Sequence, residues 1–168
     1  MKKFAFLFCF LLTNLTLVAQ DDKATRPSPP AQATNTVNGK TITIDYGRPS
    51  VKGRKIWGDL VPYGQVWRAG ANETTAFTLS ADAQVGGKNL PAGKYAFFVI
   101  PNEKEWTVIF NKTIKWGAFS YKQEEDVLRI NVPVRKSQAF AEQLTYIVSP
   151  SGNVSLAWEN ATIEFAVK

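Results

Sequence analysis

Between residues 47 and 73 the chain gathers the side chains best suited to chemistry. Trp57, Tyr63 and Trp67 are flat rings with a polar handle, Arg48, Arg54 and Arg68 are planar cations, and Asn72 adds an amide. Indoles and phenols offer stacking faces to a sugar or peptide, and a guanidinium grips a carboxylate or phosphate through two parallel hydrogen bonds. These seven residues therefore form a candidate ligand surface. The same stretch supports a second reading, in which Ile56, Trp57, Leu60, Val61, Val66 and Trp67 plug the open end of a β-structure. In that reading Arg68 pairs with Glu73 across a loop, a bridge worth about 0–1 kcal/mol if exposed. A third reading is catalytic. Asp59 and Glu73 are the two acids of the segment, and a glycosidase-type pair would hold its carboxyl groups about 5–5.5 Å or 6.5–9.5 Å apart. Asp45 is an alternative partner for Glu73 across neighbouring strands.

Composition narrows these readings. The 168 residues include no His and one Cys, so a Ser-His-Asp or Cys-His centre and every His-ligated metal site are excluded. A hydrolase here would have to run on carboxylates, lysine or hydroxyls. Glu124, Glu125 and Asp126 lack the alternating Asp spacing of a calcium loop and read as an acidic turn. No cofactor and no metal are expected. The net charge of +6 includes Lys2 and Lys3 at the extreme N-terminus, and the remaining basic residues form no dense stripe, so nucleic acid is not an expected partner.

The elements that must position the segment are strands. Ile42, Ile44 and Tyr46 alternate with Thr41, Thr43 and Asp45, and the same period of two recurs at Leu128, Ile130 and Val132, at Leu144, Tyr146 and Val148, at Val154, Leu156 and Trp158, and at Ile163, Phe165 and Val167. Successive strand side chains face opposite ways, so each run gives one apolar and one wetter face. Residues 95–100 (YAFFVI) are apolar on both faces, as a central strand is. Asn38-Gly39 and Gly86-Gly87 suit two-residue hairpin turns. Only residues 137–143 suggest a short helix. These signals predict an all-β fold: a single antiparallel β-sandwich of about nine strands with one long ordered loop, residues 47–73. Long ordered loops in compact domains commonly carry function.

Ahead of the strands lies a different text. Lys2-Lys3 precede an apolar run over residues 4–12, and a second one ends at Ala19. The pattern predicts a signal peptide over residues 1–19, cleaved after Ala19 or a neighbouring residue, since a spanning helix needs about 20 unbroken apolar residues. Cys9 would leave with it, so no disulfide framework is expected in the exported chain. Residues 20–34, with Pro27, Pro29 and Pro30, read as a flexible tether, and residues 35–168 as the sandwich domain.

Three stretches carry a family resemblance: RPSVKGRKIWGDLVPYGQVWRAGANETT at 48–75, LPAGKYAFFVIPNEKEWTVIFN at 90–111 and WGAFSY at 116–121. Together they resemble the family called domain of unknown function 2911, exported proteins found largely in the Bacteroidetes group of bacteria. The resemblance implies export and supplies no activity, cofactor or catalytic residue. The LPAGKY stretch is also similar to prealbumin-like and carboxypeptidase-regulatory-like sandwiches, which bears on fold alone. The expected function is an exported, non-catalytic binding or accessory module of the periplasm, cell surface or medium. Its expected partner is a glycan, peptide or anionic small molecule, or an envelope protein. The rivals are a small carboxylate hydrolase and a purely structural envelope protein.

Overall fold

The computed structural model describes residues 22–168, so the expected signal peptide lies outside the described residues. Strands dominate. β1 (Pro30–Val37) and β2 (Lys40–Gly47) form a hairpin closed by Asn38 and Gly39, both at left-handed φ (+50° and +77°). That conformation is the one a type I′ turn requires. β3 (Ala76–Leu79), β6 (Gly93–Ile100), β7 (Glu105–Asn111) and β8 (Asp126–Pro133) extend this hairpin into a six-stranded antiparallel sheet in the order β1-β2-β3-β6-β7-β8. β4 (Ala83–Val85) and β5 (Lys88–Leu90) pair across Gly86-Gly87. The second layer is one long hairpin, β9 (Arg135–Val148) with β10 (Asn153–Ala166).

The two layers meet face to face as a sandwich does. Phe165 of β10 lies over Phe77, Phe97 and Phe110 of β3, β6 and β7, with ring centroids 6.2–6.4 Å apart. Tyr146 of β9 meets Tyr46 of β2 edge to face at 4.6 Å. β6 is central, between β3 and β7, and residues 95–99 are buried on both of its faces. Phe97 and Val99 face the sandwich core, while Ala96 and Phe98 form a small outer cluster with Ile109, packed against by Val66, Ala118 and Tyr121. The doubly apolar run thus has a cover on each side.

Several details depart from the sequence reading. The described residues form ten strands, close to the nine or so expected, but other points differ. Residues 137–143 belong to β9, not to a helix; their pattern is irregular because the β9/β10 register shifts there. The tether is shorter than its composition suggests. β1 begins at Pro30, and residues 30–34 pair with residues 43–47. An edge strand tolerates that proline because its missing N–H faces no ladder partner. The preceding residues are also fastened, with a 3-10 turn at Lys23–Thr25 capped by Asp22. Among the described residues no helix is long and apolar enough to cross a membrane.

Candidate functional site

Segment 47–73 is ordered by backbone bonds to both layers. On one side Val51 N–H donates to Glu142 O at 2.7 Å and Leu144 N–H to Pro49 O at 2.9 Å, so the segment runs along the edge of β9. On the other, Trp67 and Val99 exchange N–H···O bonds of 2.8 and 2.9 Å, so Trp67 fills the lane beside β6 beyond the start of β3. Between these anchors Gly58, at φ +79°, turns the chain, with Val61 N–H bonded to Ile56 O at 2.9 Å. Gly47 has a different reason to be glycine. A Cβ there would stand 2.0 Å from Ala71 O, so only a bare Cα lets the returning chain at Ala71 cross the end of β2.

The aromatic residues divide into core and site. Trp57 is 8% exposed and touches Trp106 at 4.4 Å and Trp67 and Trp158 at 5.7 and 5.9 Å. Its N–H donates to Trp158 O at 3.3 Å. With Ile56 and Val61, also buried, Trp57 plugs the sandwich end, and its faces are occupied by neighbouring indoles. Trp67 is half-buried and stacks on Trp158 at 5.8 Å and 17°. Tyr63 stands apart, exposed beside Asn102 and Glu103, with its hydroxyl pKa raised by partial burial and then by Glu103 and Glu159.

The cations divide in the same way. Arg48 donates through Nε to Leu144 O (3.2 Å) and through Nη2 to Thr145 Oγ1 (3.1 Å), fastening the end of β2 to β9. Arg54 turns back on its own loop, Nε to Val51 O (3.0 Å) and Nη2 to Ser50 O (2.6 Å). Arg68 does neither. It is half-buried, it forms no ion pair or hydrogen bond among the described residues, and its Nε is shut off from solvent. The expected Arg68–Glu73 pair is therefore corrected. Glu73 is taken by Lys23 at 3.0 Å and Arg26 at 3.1 Å, which hold its carboxyl down at about 2, the Lys23 hydrogen bond contributing most and the Glu73 backbone next. Asn72 Nδ2 donates to Ser28 O at 2.8 Å. Glu73 and Asn72 thus clamp the N-terminal residues onto the segment.

These placements bring Arg54, Trp67 and Arg68 together at one recess, while Trp57 and Tyr63 line another. A cavity of about 320 Å³ is walled by Arg54, Leu60, Val61, Trp67, Arg68 and Trp158, with Ser28 from the N-terminal strap on one side. Two of its wall residues carry a buried N–H donor with no acceptor among the described residues, Arg68 Nε and Trp158 Nε1. An orphaned buried donor costs about 1–3 kcal/mol, more where it is charged, so both atoms are a cost to the packing at this end of the sandwich. Trp158 was read from sequence as a core position of its strand; it is 2% exposed, and its edge also serves the recess. Nothing in the alternation of β10 distinguishes it from Leu156.

Of the two expected acid pairs, Asp59 shares no recess with Glu73, whereas Asp45 does. Glu73 shares a wider recess of about 700 Å³ on the outer face of β1, β2 and β3 with Asp45, Lys23 and Lys94, and Asp59 is not among its walls. There Asp45 accepts from Gln32 Nε2 at 2.7 Å. A carboxyl held ionised as firmly as Glu73 is a poor proton donor near neutral pH. Trp116 lies outside the core: it is 60% exposed, and its one ring contact among the described residues is Phe119, itself 80% exposed.

A search of curated proteins and one of solved structures each returned no match. A family model, described as Protein of unknown function (DUF2911), matches residues 28–167, the span from the entry of β1 to the end of β10. With the match extending over the whole sandwich and the plug and recess it carries, the chain belongs to that family, Protein of unknown function (DUF2911).

Proposed function

We propose that the protein is an exported, non-catalytic binding module whose ligand enters the recess at Arg54, Trp67 and Arg68. Export rests on the charged and apolar pattern of residues 1–19. Binding rests on one observation above the others: Arg68 is a half-buried cation without a partner among the described residues. A guanidinium removed from water without a counter-charge destabilises the fold that holds it. A ligand acceptor supplies the missing bond, and the stacked Trp67 and Trp158 give it a rigid wall. Arg48, Trp57 and Asn72 belong to the frame, since each spends its polar group on a backbone carbonyl of the chain.

The test is a binding screen of the purified protein against glycans, peptides and peptidoglycan fragments, repeated with Arg68→Ala. At least one ligand class should bind the parent. Arg68→Ala should abolish that binding while leaving the melting temperature unchanged or raised. A variant that melts far below the parent, together with an empty screen, would show that Arg68 serves the fold and that the recess is not a ligand site.

A further inference from the structure

Residues 112–122, between β7 and β8, form a loop whose apolar tip the sandwich leaves uncovered. Ile114 is 41% exposed, and the rings of Trp116 and Phe119, in contact at 5.8 Å, are still more open to solvent. Single exposed apolar residues are ordinary, whereas large rings in contact on one loop mark an interaction surface. The loop keeps its shape without outside help. Asn111 is buried at its entry, and Asn111 Nδ2 donates to Lys122 O at 2.9 Å, tying the two ends together. Thr113 N–H donates to Asn111 Oδ1 at 3.0 Å, and Thr74 Oγ1 donates to Lys115 O, fastening the loop to the residues before β3. At the tip Gly117 takes φ +78°, Ser120 Oγ donates to Gly117 O at 3.0 Å, and Tyr121 N–H donates to Ala118 O at 3.1 Å. Tyr121 then returns the chain to the sheet, its ring against Phe98 at 5.3 Å.

Charge and backbone together identify what covers this tip. Lys112, Lys115 and Lys122 are exposed, none is ion-paired among the described residues, and no acid falls between residues 112 and 122. The acids around the loop are at its base or already engaged. Glu124 and Glu125 lie in the 3-10 turn Gln123–Glu125, where Lys112 N–H bonds to Glu125 O at 3.0 Å. Asp126 is taken by Arg129 and Tyr121, and Glu73, which shares the wider recess with Ile114, by Lys23 and Arg26. Lysines flanking an indole, a phenyl ring and an aliphatic side chain suit a lipid headgroup layer: the rings settle at the acyl boundary and the lysine stems reach back to the phosphates. Each lysine adds attraction to anionic lipid. A bilayer also demands that inserted backbone groups find partners within the chain, and here the carbonyls of Lys115, Gly117 and Ala118 do so. We propose that loop 112–122 is a membrane-surface anchor, laying Trp116 and Phe119 into the headgroup boundary of an anionic phospholipid bilayer. One such loop gives reversible attachment. The recess at Arg54, Trp67 and Arg68 plays no part in it, so the two readings stand or fall separately.

Vesicle co-sedimentation tests this on the exported form, residues 20–168, which carries the whole described structure and lacks the apolar run that would itself enter lipid. The vesicles are phosphatidylcholine alone and phosphatidylcholine mixed with phosphatidylglycerol. The protein should sediment with the mixed vesicles and at least about fivefold less with phosphatidylcholine alone, and added salt should reduce the attachment. Its tryptophan emission should shift to the blue on binding, because Trp116 is the exposed indole among the described residues; Trp116→Phe should keep most of the binding and lose the shift. Trp116→Ala combined with Phe119→Ala should weaken the partition at least about tenfold. Lys112→Gln, Lys115→Gln and Lys122→Gln should each weaken it by about threefold to fivefold. All five side chains are exposed, so each variant should melt with the parent, which separates lost attachment from a lost fold. No sedimentation with either vesicle would overturn the anchor. Attachment that the double alanine variant retains would overturn it too, by assigning the effect to overall charge. So would a parent that is dimeric without lipid beside a monomeric double variant, since the rings would then cover a second copy of the chain.

Discussion

Arg68 owes its position to the residue that follows it. Ala69 sits at φ +52°, a conformation that side-chain-bearing residues seldom adopt, and two bonds to its carbonyl hold it there. Tyr146 Oη donates to Ala69 O at 2.7 Å and Thr75 Oγ1 donates to it at 3.1 Å. Tyr146 is buried between the layers, and burial, with Tyr46 a lesser cause, pushes its pKa well above the ordinary tyrosine range. It therefore remains a protonated donor near neutral pH. Tyr146→Phe keeps the ring and removes this donor. It should cost about 1–2 kcal/mol in denaturant titration near neutral pH. A variant as stable as the parent would mean that Ala69 is held by Thr75 alone.

At the scale of elements, the N-terminal strap is what composition concealed. Residues 22–29 are polar and proline-rich, the signature of a tether, yet Lys23 and Arg26 reach Glu73, and Asn72 reaches Ser28 O. No periodicity announces such a contact, because it joins two irregular segments whose proximity depends on the whole sheet between them. The neighbouring edge strand was hidden for a related reason: Ala31 and Ala33 are too small and only half-buried to give a clear alternation. The clamp has a defined acid dependence. Glu73 titrates at about 2 in the folded chain, against about 4.3 when unfolded. Its stabilisation is thus complete above about pH 4.5 and fades as the pH falls toward 2. Glu73 is nearly half-exposed, so solvent screening limits each bridge to about 0–1 kcal/mol. Glu73→Gln should therefore lower the melting temperature slightly at pH 6, with the difference from the parent vanishing as the pH falls through that window. At neutral pH the variant should also be cut faster by trypsin after Lys23, the Arg26–Pro27 bond being resistant. A parent–variant difference that persists undiminished to pH 2 would assign the effect to something other than the Glu73 charge.

For the molecule as a whole, the sandwich closes around four indoles drawn from distant parts of the chain: Trp57, Trp67, Trp106 and Trp158. Strand alternation made Trp158 legible as a core position, just as the Asn-Gly and Gly-Gly turns and the doubly apolar β6 were legible, since each depends only on local geometry. Within segment 47–73 no such rule applies. Trp57 and Trp67 look alike in sequence, and their separation into plug and recess wall is decided by where β7 and β10 place the other two rings. The same non-local packing leaves Arg68 unpaired while Arg48 and Arg54 find carbonyls. This division of labour can be measured. Trp57→Ala removes a ring that contacts three other indoles and a buried hydrogen bond to Trp158 O, a loss of about 3–5 kcal/mol for an aromatic core truncation. At about 2–4 °C per kcal/mol for a chain of this size, melting should fall by roughly 6–20 °C, with a matching change in tryptophan fluorescence as Trp106 and Trp158 become wetter. Arg68→Met, a few residues along the same loop, should leave the melting temperature where it is or raise it. If Trp57→Ala instead melts with the parent, the plug does not close the sandwich, and the recess on its outer side loses the rigid wall that its ligand chemistry requires.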